Sequence, residues 1–181
     1  MLPTSGKVAV IREAIVRRRY VKLLYEKWDG RLDIEEAIAA SDYQKSYFLD
    51  ESTVGRVDMY EPGIGLFNVF YRHAHPPFDT ALDEHLAEHP DVPCAFDTPP
   101  VPTEEGLFRV QSYHYLPSQE LKALYELHVD ARYRVIRQVE VGEHGERLGE
   151  ERYAYDPDGW VSTTVVDGAG EVTRVYHRDD D

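Results

Sequence analysis

The sequence predicts an α+β protein: an N-terminal helical hairpin packed on a twisted antiparallel β-meander, interrupted by an acidic, proline-rich insertion. Three observations predict it. Apolar residues recur at helical spacing ahead of residue 42. From Tyr43 the period of the pattern changes from about 3.6 to 2. Between Arg72 and Arg109 there is no lysine or arginine, yet the segment 73–105 holds seven of the eleven prolines. The 181 residues suit a single domain. Its parts are a helical part at 1–42, a sheet at 43–72 and 106–178, and the insertion at 73–105.

Ser5 can cap a first helix over about 7–28. Val10, Ala14, Val21, Leu24, Tyr25 and Trp28 form its apolar stripe, and Asp29-Gly30 ends it. Asp33 can cap a second, shorter helix through Ala40, with Ile34, Ala37 and Ile38 on one side. SYFLDE, GRVDMYE and GLFNVFYRH then read as strands, and Gly63-Ile64-Gly65 as a hairpin turn. After the insertion come GLFRVQSYHYL, ARYRVIRQVEV, RLGEERYAY, GWVSTTVV and EVTRVYHR. His144-Gly145, Asp158-Gly159 and Asp167-Gly168 connect them. Gly and Asp tolerate the positive φ of tight hairpins. Strands joined in sequence by short turns imply an antiparallel meander.

SQELKALYELHVD fits two patterns. Leu121, Leu124, Tyr125 and His128 suit a helix capped by Ser118, and propensity favours that. Leu121, Ala123, Tyr125, Leu127 and Val129 suit a strand. Laying 46–72 beside 112–138 matches Ser46-Tyr47 to Ser112-Tyr113, which favours the strand.

The last stretch, YDPDGWVSTTVVDGAGEVTRVYH, carries Tyr155, Asp156, Gly159, Gly170 and Tyr176 at the positions of a tyrosine-aspartate repeat. It resembles the RHS (YD-type) β-hairpin repeats found in bacterial polymorphic toxin and antitoxin-like proteins. The resemblance implies a sheet-forming unit and a place in toxin biology. A cargo-enclosing shell needs many more repeats than this chain holds.

Formal net charge is −14. Residues 1–31 carry eight basic against three acidic side chains, so the remainder stands at −19. Such a body repels nucleic acid and steers basic partners. No run approaches the roughly 18 apolar residues of a membrane span, so no membrane partner is expected. The apolar run near the N-terminus is broken by Arg12 and Glu13 and makes a poor signal peptide. Cys94 is the only cysteine. It excludes an internal disulfide and points to a reducing, cytoplasmic setting. Lying among acidic residues, its thiolate is disfavoured.

The insertion is the first candidate site. Asp79, Asp83, Glu84, Glu88 and Asp91 lie on or beside a short helix expected at about 79–89, between Pro76-Pro77 and Pro90. These acids would meet lysines or arginines of a basic protein partner, such as a toxin domain. Proline stiffness would lower the entropy lost on docking. Tyr113 and Tyr115, on a strand, would add rigid amphipathic contact area. This reading is a non-catalytic binding module without a cofactor, of the immunity or antitoxin kind.

A second reading is chemical. His73 and His75 alternate, and His85 and His89 are four apart, so each pair shares a side of its element. His85 to His89 spells H-x-x-E-H, which in inverted zinc peptidases supplies two imidazole ligands and a general base. That chemistry makes zinc the expected metal. Against it, Pro90 closes the helix early, and the downstream chain reads as strands rather than a ligand-bearing helix. A third reading is a structural repeat protein of a larger assembly. No phosphate-binding glycine loop and no nucleophile elbow is present.

Overall fold

A computed structural model of the chain describes residues 20, 22–27, 30–33, 36–37, 43–157 and 159–178. Those residues are mostly strand, with one helix of more than a single turn. The α+β expectation is therefore corrected: the part of the expected first helix that is described as an element, 22–27, is strand, while Glu36 and Ala37 of the second are helical. Lys22–Lys27, inside the expected first helix, forms strand β1 and pairs with β2 (Gly30–Leu32) and β3 (Tyr43–Phe48). The cause is pairing that overrides propensity. Tyr25 packs down as a strand residue, and β1 pairs with β2 with Lys27 opposite Gly30. The Asp33 cap is present: Asp33 Oδ1 accepts from Glu36 N–H and Glu36 Oε2 accepts from Asp33 N–H, each at 2.8 Å. This reciprocal pair is a capping box. The rest of both expected helices lies outside the described residues.

The chain divides into two compact units. The first holds the described residues up to Arg72 together with Thr80–Ala95; the second holds His73–Asp79 and the described residues from Phe96 onward. In the first, β4 (Val54–Glu61) and β5 (Gly65–Tyr71) continue the order β2-β1-β3-β4-β5, every pair antiparallel. Helix α1 (Asp79–Glu88) forms where it was expected. Its Leu82 and His85 turn inward, three residues apart, while Asp83 and Glu84 face water. Tyr47, Phe48, Val57, Val69 and Leu82 are among the buried residues of this unit. The division between the units falls inside β6 (Cys94–Asp97).

The second unit is the meander. Strands β8 (Phe108–Tyr115), β9 (Leu121–Val129), β10 (Val135–Val141), β11 (Arg147–Asp156), β12 (Gly159–Asp167) and β13 (Val172–His177) pair in chain order, all antiparallel. The two-residue β7 (Val101–Pro102) pairs with β8. The ambiguous segment is thus a strand: alternation and pairing outweigh its helix-favouring composition. Val110, Leu127 and Val129 form a buried cluster, with Phe108, Tyr125, Tyr133 and Val135 packed against it. A second aromatic group joins Phe78 to Phe96 (stacked, centroids 5.0 Å apart) and to Tyr113 (5.1 Å), while Tyr115 meets Phe96 at 5.9 Å.

The turn after β12 is built by Asp167. Its Oδ1 accepts from Ala169 N–H and Glu171 N–H, and Gly170 takes the positive φ of 92° that the turn requires. Gly168 does not carry it, contrary to the Asp-Gly reading. Tyr155 donates its hydroxyl proton to the Val135 carbonyl at 3.0 Å, and Asp156 pairs with Arg178 at 3.0 Å. Every residue of β13 is exposed.

Candidate functional site

Helix α1 is held from its inner side by hydrogen bonds and a buried cation. His85 is 1% exposed. Its Nε2 lies 2.7 Å from the Val92 carbonyl and its Nδ1 lies 3.0 Å from the Tyr71 hydroxyl. A carbonyl only accepts, so Nε2 carries the proton and Nδ1 accepts from Tyr71. Just below, Tyr47, Arg56 and Tyr71 stand directly opposite one another on β3, β4 and β5. The Arg56 guanidinium carbon sits 5.2 Å and 5.6 Å from the two ring centroids, a double cation–π arrangement. Arg56 binds Asp58 through Nε (2.5 Å) and Nη2 (3.1 Å). Asp58 also accepts from the Tyr47 hydroxyl at 3.0 Å. Arg56 Nη2 donates to His89 Nε2 at 3.0 Å, and Nη1 approaches Glu88 at 3.5 Å. Burial, and then the charge of Asp58, pushes the Tyr47 hydroxyl well above its ordinary pKa.

This inner side determines what the outer side presents. Asp79, Asp83, Glu84, Glu88 and Asp91 are all exposed, as expected. Glu88 is tied to Arg56, but Asp79, Asp83, Glu84 and Asp91 form no ion pair among the described residues. The result is a run of free carboxylates on a helix and turn held to a buried network.

The four histidines of the chemical reading have other surroundings. His85 and His89 each direct a ring nitrogen at a protein donor, Tyr71 and Arg56 respectively. The Glu88 carboxylate lies toward Arg56 rather than toward a bound-water position. His73 and His75 are not on a strand, since β5 ends at Tyr71. His73 has a φ of 58° and its ring lies 6.4 Å from that of Tyr133; His75 is exposed. Among the described residues no three His, Cys, Asp or Glu side chains are grouped to hold a metal ion. Cys94 is 2% exposed, and burial pushes its thiol pKa up to about 12, so the reactive thiolate does not form near neutrality.

Tyr113 and Tyr115 are half-buried members of the aromatic group around Phe78 and Phe96. Tyr113 donates to Gln111 Oε1 at 3.2 Å. Between them Ser112, 1% exposed, donates to Asp97 Oδ1 at 2.5 Å. With that proton committed, the Ser112 oxygen accepts from His114 Nε2 at 3.0 Å. The serine stands in the middle of this Asp-Ser-His chain. A nucleophilic triad needs the imidazole to accept the serine proton instead. Burial, assisted by the charge of Lys122, pulls the His114 pKa down to about 4. The chain is a structural network.

A further acidic feature lay in the strands, where alternation alone gave no reason to single it out. A recess of about 140 Å³ in the second unit is lined by Tyr125, Gln138, Glu140, Gly149 and Glu151, among others. Gly149 leaves the space a side chain would fill.

Among the described residues, no helix is long and apolar enough to cross a membrane. No family model, curated protein or solved structure matches the chain.

Proposed function

We propose that the protein is a non-catalytic binding module, an immunity- or antitoxin-like protein that covers a basic surface of a partner such as a toxin domain. The observation that carries the reading is the outer side of α1. Carboxylates at Asp79, Asp83, Glu84 and Asp91 are exposed and unpaired among the described residues, on an element anchored by the Arg56–Asp58 and His85 networks. Charges fixed this way add to association rate and specificity, because little ordering remains to be done when the partner arrives. The acidic recess near Glu140 and Glu151 provides a second place for a basic side chain. The single, buried cysteine fits a reducing cytoplasmic setting. Tyr113 and Tyr115, half-buried in the aromatic group around Phe78 and Phe96, stiffen β8.

Affinity purification from the native host tests the reading. The expected result is one basic polypeptide recovered in stoichiometric amount by the natural chain and lost with D79N/D83N/E84Q/D91N. Recovery that is indifferent to the four substitutions, or recovery of acidic partners alone, overturns it.

A further inference from the structure

We propose that one face of the second unit is a docking surface for an acidic polypeptide segment, centred on Arg137. The observation is a row of three arginines and one histidine that register, not sequence, brings together. Arg109 on β8 stands opposite His128 on β9; His128 stands opposite Arg137 on β10; Arg137 stands opposite Arg152 on β11. Directly opposed residues share a face, so the four form one line across four adjacent strands. Arg137 and Arg152 oppose one another directly, and like charges so placed destabilise a sheet. A chain of net charge −14 that nevertheless stacks them breaks a local rule, and such breaks concentrate where function requires them.

The internal partners leave the row undercompensated. Glu126 lies 3.9 Å from Arg109 and 2.9 Å from His128 Nε2. Glu150, 5% exposed, is shared by Arg152 and Arg147. Four guanidiniums thus face two carboxylates. Arg137 is the residue left over. Among the described residues it reaches no carboxylate; its Nη2 meets only the His128 ring, at 2.7 Å from Nε2, and its Nε is buried without an acceptor. A guanidinium only donates, so His128 serves it only with an unprotonated nitrogen, and His128 Nε2 is also wanted by Glu126. A half-buried cation with so poor a set of acceptors is costly, and an incoming carboxylate relieves that cost.

The dimensions and charge select the occupant. Adjacent strands lie about 4.8 Å apart, so Arg109 to Arg152 spans about 14 Å. An extended segment with carboxylates at alternate residues, about 6.7 Å apart, covers that length with three of them. Arg109 and Arg152 have side chains 54% and 56% exposed, open to such a segment. A long polyanion such as nucleic acid would meet the repulsion of the whole acidic chain, whereas a short acidic segment places its charge only on the row.

The test uses the full chain and fluorescein-labelled heptaglutamate, read by anisotropy in about 50 mM and about 500 mM salt. Saturable binding is expected at low salt and loss at high salt. Binding at least about tenfold weaker is expected for R137Q and, independently, for R109Q/R152Q, which removes the two most exposed members of the row. Circular dichroism melts confirm that each variant is folded. No saturable binding by the natural chain, or unchanged binding by folded R109Q/R152Q, overturns the proposal. An oligothymidylate of equal charge that binds as tightly as the peptide overturns the assignment to an acidic polypeptide.

Discussion

Arg56 Nη2 lies 3.0 Å from His89 Nε2, and this contact joins the middle of β4 to the residue that follows α1. Because the guanidinium can only donate, His89 must present an unprotonated Nε2 here. Arg56 and Asp58 are 3% and 2% exposed, so neither tolerates loss of its partner. Arg56→Met leaves the Asp58 carboxylate buried and uncompensated, and should lower stability by about 3–5 kcal/mol in urea titration. The double variant R56M/D58L removes both charges and should recover part of that loss. A single variant as stable as the natural chain would show that α1 is held by other contacts.

Neutralising the outer side of α1 should leave stability almost unchanged. D79N/D83N/E84Q/D91N removes four exposed charges that touch no cation among the described residues. Each should change stability by less than about 0.5 kcal/mol, measured as the urea midpoint. Stability unchanged with partner recovery abolished separates a contact role from a folding role.

The depressed pKa of His114, about 4 against an ordinary value near 6.5, gives a pH dependence. In that window the unfolded chain takes up a proton that the folded chain refuses. Stability linked to His114 is therefore complete above about pH 6.5 and is lost as pH falls toward 4. His114→Gln keeps a donor for Ser112 and removes the titration. The natural chain should lose stability faster than the variant between pH 6.5 and 4; parallel curves would refute the burial of His114.

Cys94 should be silent to thiol reagents at neutral pH in the native state and react stoichiometrically in denaturant. Its buried thiol has a pKa near 12, so the attacking thiolate is scarce and shielded. Rapid native labelling would contradict the packing around β6.

Two turn glycines should fail for different reasons. At Gly145 φ is 81° and a Cβ would meet nothing, so Gly145→Ala costs about 1–2 kcal/mol from conformation alone and Gly145→Asn costs less. At Gly168 a Cβ would lie 3.0 Å from the Leu148 carbonyl oxygen and 3.1 Å from that of Arg147. Alanine and asparagine should there cost alike, about 1–3 kcal/mol, by thermal melts.

Much of the meander was legible because its evidence is local. Alternation marked β8, alternation with Gly or Asp turns marked the strands from Val135 to His177, and prolines on either side marked α1, whereas β9 fitted a helix as well and was favoured as a strand only by comparison with 46–72. β1 was not legible. Leu24 and Tyr25 satisfy a helical spacing as well as a strand, and what decides is the distant β3, which pairing alone reveals. β6 was hidden among the prolines of the insertion. The exposed acids were read from spacing, whereas the role of His85 and His89 was not. H-x-x-E-H reports that two rings share a helical side but not that Tyr71 and Arg56 wait beneath them. The row of three arginines and His128 was invisible for the same reason: Arg109, His128, Arg137 and Arg152 are nowhere near one another along the chain.

The chain-order pairing from β8 to β13 has a kinetic consequence. Each strand's main partner is the one synthesised just before it, so loop-closure entropy stays small and the unit can zip up hairpin by hairpin. Energetically it behaves as a row of coupled neighbours, in which a fault at the β12–β13 turn frays one end and spares the rest.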